Sequence, residues 1–146
     1  MPDISYPLWS IDSLPYWEAC KREELVYQIC DDCGSTVFHP RAACPYCLSD
    51  RLTWQPSAGW GRIYSFTVQN VPLHKERPDS VPRALGIIEL DEGYHMFAEI
   101  DARDLEALHI GQRVQVYFDR VAHDLVLPKF RVADDESSAA SASTKR

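Results

Sequence analysis

The stretch that decides the fold is Cys30-Asp31-Asp32-Cys33, followed after ten residues by Cys44-Pro45-Tyr46-Cys47. Two thiolates three positions apart can hold one cation when the backbone between them makes a tight turn, and Gly34 and Pro45 are the turn-forming residues beside them. Two such turns complete a tetrahedral four-sulfur shell, the arrangement that zinc prefers in structural sites. The gap is shorter than in most such sites but leaves room for a hairpin. The pattern therefore predicts a zinc ribbon with Cys30, Cys33, Cys44 and Cys47 as the metal ligands.

The same cysteines have two weaker interpretations, a local disulfide within each pair and a redox C-x-x-C motif. A redox motif needs a helix that starts inside the pair and a βαβ context, and the sequence indicates neither. Four thiolates leave no open position for water or substrate, so we expect the metal to support folding rather than catalysis. Iron can occupy four sulfurs as well, and the sequence alone does not distinguish it from zinc.

Composition limits the classes of function that the chain can have. Its 146 residues fit one compact domain or two small ones, and 45% of them are hydrophobic. The net charge is −7, and it is −6 without the segment from Asp134 onward, which disfavours general nucleic-acid binding. Neither a membrane-spanning run nor a signal peptide is evident. Together with unpaired C-x-x-C thiols this predicts a cytoplasmic protein, in which Cys20 is an ordinary helix cysteine.

The fold class predicted from periodicity is mainly β: a helical start, a rubredoxin-like zinc ribbon and a five-stranded OB-fold barrel. Ser13 and Pro15 predict the start of the helix, whose apolar stripe would be Leu14, Trp17 and Cys20. Five alternating segments after Gly59, with a short helical insert at 104–108, match a small Greek-key barrel. The predicted divisions are 1–27 for an arm and helix, 28–55 for the ribbon, 56–133 for the barrel and 134–146 for a disordered tail.

Many short motifs between residues 16 and 131 have a specific order and spacing. They are Trp17; Cys30-x-x-Cys33-Gly34; Pro40-Arg41-x-x-Cys44-Pro45-x-Cys47; Trp54; Gly59-x-Gly61; Tyr64-Ser65-Phe66-Thr67; Glu89-Leu90-Asp91-Glu92-Gly93; Ile110-Gly111-x-x-Val114-x-Val116; and Pro128-x-Phe130. Together they resemble the zinc-ribbon and OB-fold family labelled domain of unknown function thirty-five, also called acyl-CoA-associated OB-fold proteins. That family commonly has glycine just before the strand that enters the ribbon, where this chain has Glu23-Glu24.

The resemblance implies a companion subunit rather than an enzyme that works alone. Members are similar to partners of thiolase-type enzymes, including lipid-transfer-protein-like thiolases and steroid side-chain aldolases, and of acyl-CoA hydratases. The resemblance also implies that members bind or guide a CoA thioester. In this chain, cationic side chains would bind the phosphates and a flat apolar surface would bind the adenine. The candidate contacts are Arg41, Trp60, Arg62 and Arg83. The alternative is that the aromatic residues belong to the barrel core and the arginines are solvated.

Residues for autonomous catalysis are not indicated by any motif. The five histidines are scattered, and the sequence has neither a phosphate-binding glycine loop nor a G-x-S-x-G motif. His39 lies in the ribbon hairpin, where it is a surface residue or a residue that orients a ligand thiolate. The expected function is therefore a non-catalytic accessory subunit of an acyl-CoA thiolase, aldolase or hydratase, in lipid or steroid side-chain metabolism. The alternative is a single-stranded nucleic-acid-binding OB-fold protein.

Overall fold

The computed structural model describes residues 9–134, which contain one α-helix and eight strands. The predicted tail, apart from Asp134, and residues 1–8 of the predicted arm lie outside the described residues. Two short 3-10 turns lie at Ile11–Ser13 and Pro78–Ser80. The other elements are α1 (Leu14–Lys21), β1 (Val26–Cys30), β2 (Thr36–Val37), β3 (Leu52–Pro56), β4 (Trp60–Gln69), β5 (Arg83–Leu90), β6 (His95–Asp101), β7 (Arg113–Ala122) and β8 (Leu125–Val132).

Helix α1 begins next to Ser13 with proline in its first turn, as the sequence predicts, and it packs against β8. Of the predicted apolar stripe, Cys20 is buried and Trp17 packs against the core, whereas Leu14 is exposed. Tyr16 and Ala19, which the predicted stripe did not include, are also buried, so the buried face is shifted away from Leu14. No helix among residues 9–134 has the length and apolar character needed to cross a bilayer.

At the end of α1, Glu23 takes the place of the glycine that the resembling family commonly has before the first ribbon strand. Glu23 adopts φ 60°, the left-handed conformation that glycine favours. The backbone N–H groups of Glu23 and Glu24 donate to the carbonyl oxygens of Cys20 and Ala19, which closes the helix end. The helix therefore stops at Lys21 and the chain turns directly into β1.

The ribbon is a three-stranded antiparallel sheet in the order β2-β1-β3. Gln28 at the centre of β1 is paired with Val37 of β2 on one side and with Trp54 of β3 on the other. The ribbon has a small buried cluster of its own, formed by Cys30, Val37 and Cys44 with Leu52 packed against it. On its other face Tyr27, Ile29, Phe38 and Trp54 join or pack against the main core, whereas Tyr46 and Leu48 are exposed.

The barrel is closed in the order β4-β5-β6-β8-β7, with β6 and β8 parallel and the other pairs antiparallel. This five-stranded topology confirms the OB-fold prediction. The predicted helical insert at 104–108 is wrong, since these residues form turns. A register shift between Ile63 and Ser65 breaks the predicted alternation of β4. Ile63 is buried, Tyr64 and Ser65 are both exposed, and Phe66 packs against the core.

Candidate functional site

The four cysteines of the two C-x-x-C pairs come together at one end of the ribbon. Their sulfur atoms all lie within 4.8 Å of one another, and no other group of three or more potential metal ligands is found in residues 9–134. Sγ of Cys30 lies 3.5 Å from Sγ of Cys47, and Sγ of Cys33 lies 3.7 Å from Sγ of Cys44. This is the compact four-sulfur donor set that a tetrahedral structural zinc ion requires.

The two cysteine turns have the same backbone hydrogen bonds. The N–H of Gly34 donates to the carbonyl of Cys30 at 2.8 Å, and the N–H of Leu48 donates to the carbonyl of Cys44 at 2.9 Å. Gly34 and Leu48 both have positive φ, at 72° and 64°. The chain therefore pays a conformational cost at Leu48, a leucine in a glycine-like conformation, to place both pairs of sulfurs around one point.

The electrostatics of this cluster also favour a cation. The side-chain and backbone hydrogen bonds of Ser35 lower the pKa of Cys33 to about 6. The backbone hydrogen bond from Ser49 acts in the same direction on Cys47, but desolvation and the three neighbouring thiols raise its pKa to about 12. Four crowded sulfurs cannot all ionise unless a positive charge stands among them. The residues thus fit zinc, and the sequence-based zinc prediction agrees with the donor set.

The metal centre is placed to hold the segments of the ribbon together. Cys30 and Cys44 are fully buried, whereas Cys33 and Cys47 are exposed. Outside the cluster, Asp32 forms an ion pair with Arg51 and accepts a hydrogen bond from Ser49, which links the two turns from the surface. A zinc ion bound here would connect β1, the hairpin with β2 and the segment that leads into β3, and would have no position open for a substrate.

An aromatic stack joins the ribbon, the helix and the barrel. The ring of Tyr94, at the start of β6, lies between Tyr27 of β1 at 5.1 Å and Phe38 of the ribbon loop at 4.9 Å, measured between centroids. Phe38 meets Tyr16 of α1 at 5.8 Å. The hydroxyl of Tyr94 is buried, and no hydrogen-bond partner is found for it among the described residues. The three parts of the molecule therefore share one apolar interface.

A carboxylate fixes the connection between the ribbon and the barrel. Glu92, in the hairpin between β5 and β6, accepts hydrogen bonds from Ser57 Oγ at 3.0 Å and from the N–H of Ala58 at 2.6 Å. Ser57 in turn donates its own N–H to the carbonyl of Leu25. The segment between β3 and β4 is thus held at both sides, and it is a defined connection rather than a free linker.

Two of the four residues predicted to contact CoA lie together, and the other two lie elsewhere. Trp60 and Arg62 are at the start of β4, where the Arg62 guanidinium donates to the carbonyl of Gly111 at 3.0 Å. Arg83 is paired with Gln69 at the far end of β4 and donates to its side-chain oxygen at 2.9 Å. Arg41 lies in the ribbon, where Gln28 binds its backbone N–H and carbonyl. The assignment of these residues to CoA stays a prediction.

Sequence reasoning missed two residues that the structure brings forward. The Arg113 guanidinium lies over the Trp60 ring at 5.2 Å and forms an ion pair with Asp91, so the indole face is already covered on that side. Phe97 is 65% exposed on the outer face of β6. In an alternating strand, Phe97 lies on the same face as the polar residues His95 and Glu99. This pattern could have indicated from the sequence that Phe97 is exposed.

The histidines do not assemble a reactive group. The His39 ring packs against Phe38 at 4.8 Å between centroids, and it is not part of the sulfur cluster. His95 lies 3.4 Å from Glu89 on the barrel surface, and His123 lies beside Asp124 in the turn before β8. These contacts are separate exposed pairs, and in the described part of the chain none of them meets a cysteine or serine nucleophile within hydrogen-bond distance.

Comparison with family models divides the chain within β3, the last strand of the ribbon. Residues 17–53 match the model described as ChsH2, rubredoxin-like zinc ribbon domain. Residues 54–119 match the model described as ChsH2, C-terminal OB-fold domain. The two matches follow each other without a gap and agree with the order of the two folds in the structure.

Curated and solved relatives give the same assignment. The chain is 32% identical to a DUF35 domain-containing scaffold protein of Methanothermobacter thermautotrophicus over 71% of this chain and 78% of that protein. It is 29% identical to a probable enoyl-CoA hydratase alpha subunit of Thermomonospora curvata over 87% of this chain, but it spans only 39% of that relative's length. A chain in the structure of the Ltp2-ChsH2(DUF35) aldolase matches with a TM-score of 0.80 and 29% identity, over 88% of this chain and 100% of that one.

Proposed function

The chain belongs to the DUF35 family of zinc-ribbon and OB-fold proteins, and from that premise we propose that it is a non-catalytic accessory subunit of an acyl-CoA enzyme. The partner would be a thiolase-like aldolase or an acyl-CoA hydratase, in lipid or steroid side-chain metabolism. The observation that carries the proposal is the full-length match to the chain of the Ltp2-ChsH2(DUF35) aldolase, a protein whose name joins two components. The relatives called scaffold protein and alpha subunit support the same role.

The metal centre supports a structural rather than a catalytic contribution. Zinc with four thiolate ligands has no exchangeable position at which it could polarise a carbonyl or activate water. A nucleophile needs a base within hydrogen-bond reach and a group that orients the base. Among the described residues, Cys20 is the one cysteine outside the cluster, and it is fully buried. Burial raises the pKa of its thiol to about 11. The chain is therefore suited to contributing a surface to chemistry that the partner performs.

The proposal includes binding of a CoA thioester. The name of the Thermomonospora curvata relative contains a CoA-dependent hydratase activity, which supports a thioester as the substrate class. Arg41, Trp60, Arg62 and Arg83 remain the predicted contacts to the CoA portion. Since they do not converge on one pocket of this chain, we propose that the partner enzyme supplies the remaining phosphate and adenine contacts.

The charges of the barrel weigh against the nucleic-acid alternative. OB-fold faces that bind single strands combine exposed aromatic residues with a free basic groove. Here the ammonium of Lys129 lies 2.7 Å from Asp119 and 3.5 Å from Glu99, and Arg131 lies 3.9 Å from Asp101. Carboxylates already neutralise these cations, and the net charge of the chain is −7. Phosphate groups would therefore find little uncompensated positive charge beside Lys129 and Arg131.

Co-expression with thiolase-like and hydratase-like chains encoded beside the gene tests the proposal. We expect stable co-purification with one of them and binding of an acyl-CoA by the complex, with no turnover by this chain alone. An oligonucleotide at physiological salt serves as the competing ligand. Isolation as a monomer in every pairing, or turnover by the purified chain without a partner, would contradict the accessory role. Tight oligonucleotide binding with a steep salt dependence would support the alternative.

A further inference from the structure

A cavity of about 570 Å³ opens where α1, the loop after β2 and the outer face of the barrel meet. We call it the junction pocket. Its size falls within the roughly 300–1,000 Å³ of small-molecule sites. The apolar part of its lining comes from all three parts of the molecule: Trp17, Phe38, Leu85, Phe97, Leu127 and Pro128. The pocket therefore exists only when ribbon, helix and barrel are assembled.

The wall of this pocket leaves apolar surface in contact with water. Phe97, which lines the pocket, is 65% exposed. Its cross-strand neighbour Ile87 lies outside the lining and is 38% exposed. Exposed aromatic side chains grouped beside a concavity mark binding sites more often than isolated ones do. The position of Phe97 at the pocket allows a ligand to bury the ring that the folded chain leaves open.

The charges in the pocket restrict what kind of ligand it can take. Among residues 9–134, Lys129 supplies the one ammonium group of the lining, and it lies 3.5 Å from Glu99, which also lines the pocket, and 2.7 Å from Asp119. Although burial lowers the pKa of Lys129, the two carboxylates outweigh that effect and raise it, so the ion pairs stay formed at neutral pH. Its other polar groups among the described residues are the hydroxyls of Ser10, Ser13 and Tyr16, the indole N–H of Trp17 and the imidazole of His39. A phosphate group entering here would meet two carboxylates for one ammonium, which is unfavourable.

We propose that the junction pocket binds the neutral apolar body of an acyl group, an alkyl chain or a carbocyclic ring system, and leaves the CoA portion outside. The inference rests on the proposed function for the source of the acyl group, whereas the preference for a neutral apolar ligand rests on the lining alone. Arg83, one of the predicted CoA contacts, lies 4.0 Å from Glu99 and thus stands beside the pocket. The chain would therefore select or shield the acyl end of a thioester.

Displacement of a neutral dye from the purified full-length chain tests this inference. Nile red is titrated first, and bound dye is then competed with decanol, decanoyl-CoA and free CoA. We expect saturable binding at one site, displacement by decanol and by decanoyl-CoA, and no displacement by free CoA. Phe97→Glu should weaken dye binding about tenfold, because it puts a charge in place of the apolar ring that the bound dye would cover. Ile110→Glu is the matched control, since Ile110 is 67% exposed and lies outside the pocket lining.

Each remaining outcome separates the pocket from the proposed function. Displacement by free CoA, an equal effect of Ile110→Glu, or no saturable dye binding would overturn the pocket inference. If no dye binds and Phe97→Glu instead abolishes co-purification with the enzyme, the face is a protein docking surface, and the accessory role stands without the pocket. If the dye results are as expected but the chain co-purifies with no enzyme, the pocket stands and the accessory role fails. Both variants replace exposed side chains, so thermal melting should show intact folding.

Discussion

The barrel and the outer half of the ribbon are stabilised by different means. The outer half of the ribbon is the part around the four cysteines and Val37. The ribbon's own buried cluster has only Cys30, Val37 and Cys44, with Leu52 beside it. The barrel cluster includes large apolar side chains from every one of its strands, among them Ile63, Ile88, Ile100, Val114 and Phe130. A core of the first size cannot offset the conformational entropy of ordering its residues, whereas one of the second size can. Metal binding takes the place of hydrophobic burial in the ribbon.

The difference ends at the inner face of the ribbon. Tyr27 belongs to the barrel cluster, and Val26, Ile29, Phe38 and Trp54 pack against it. The same strand β1 thus has Cys30 in the metal-dependent part and Tyr27 in the hydrophobic part. We expect loss of the metal to disorder the outer half of the ribbon first and the inner half only as far as the aromatic stack depends on it.

Removing the metal should have the largest effect of any change to this chain. Structural zinc contributes on the order of 10–16 kcal/mol in small peptides, and that free energy acts as folding energy. Chelation, or Cys44→Ser, should therefore reduce amide-exchange protection within residues 28–55, and most completely in the outer half around the four cysteines. Strands β4 to β8 should keep their protection, because their core has no metal ligand. Hydrogen exchange read by mass spectrometry measures both regions in one experiment.

Cys20→Ser is the control for that experiment, since Cys20 is a buried thiol outside the metal centre. It should lower global stability through burial of a hydroxyl and leave the zinc content at one ion per chain. Cooperative unfolding and protease resistance that persist after complete metal removal would show that the ribbon does not need the ion. Simultaneous loss of protection in the barrel would show that the two regions fold as one unit.

Gly86→Ala should destabilise the barrel and leave the metal centre unchanged. A Cβ at Gly86 would lie 2.6 Å from the backbone oxygen of Ser65 and 2.6 Å from Cδ1 of Ile100, too close for either to remain in place. Overpacking of this kind costs about 1–3 kcal/mol. Denaturant unfolding measures the loss, and zinc affinity measured by competition with a chromophoric chelator should not change.

Gly34→Ala should have the opposite effect to Gly86→Ala, because it should weaken zinc binding and leave the barrel unchanged. A Cβ at Gly34 meets nothing within 4 Å, so the substitution only places alanine at φ 72° in the first cysteine turn. Leu48 already occupies the equivalent position of the second turn at φ 64°. We expect zinc affinity to fall by about 1–2 kcal/mol of turn strain, with barrel stability unchanged. Equal effects of the two glycine variants on both measurements would contradict the division.

Tyr94→Phe should make the interface between the two regions slightly more stable. The Tyr94 hydroxyl is buried without a partner among the described residues, while its ring stacks between Tyr27 and Phe38. Phenylalanine keeps the stack and removes an unsatisfied polar group, whose burial costs about 1–3 kcal/mol. We expect stability in urea to rise by roughly 1 kcal/mol. A decrease would indicate that the hydroxyl has a hydrogen-bond partner in solution.

The sequence predicted the features that depend on local chemistry. Cys30, Cys33, Cys44 and Cys47 were recognisable because metal ligands need a fixed residue type at a fixed spacing. Strands β5 and β6 were recognisable because their alternation and the hairpin at 91–93 are local signals.

Other features depend on which elements meet in space. The buried side of α1 is set by its contact with β8, and the register shift beside Tyr64 arises where β4 pairs with β5. Likewise, no sequence pattern indicated that Arg113 covers Trp60 or that Arg62 is engaged by a backbone carbonyl. The metal residues were therefore within reach of sequence reasoning, whereas the surroundings of the predicted ligand residues and the junction pocket were not.

The ion pair between Asp91 and Arg113 gives the smallest expected effect, confined to the barrel. The hydrogen bond and charge of Arg113 lower the pKa of Asp91 in the folded chain. A lowered folded pKa means that the pair stabilises the fold above the unfolded pKa of about 4 and that this contribution is lost as the pH falls through the folded value. Because the Asp91 side chain is 45% exposed, solvent screening reduces the contribution to about 0.5 kcal/mol.

Urea unfolding of the unmodified chain and of Asp91→Asn, at pH 7 and at pH 3, tests this pair. The gap between the two proteins should be present at pH 7 and should shrink at pH 3, where protonation removes the charge that the substitution removes. Acid also protonates the zinc thiolates, but that effect is common to both proteins and cancels in their difference. A gap that stays constant with pH would mean that the carboxylate charge contributes nothing and that the difference comes from the changed hydrogen bonding of the side chain at position 91.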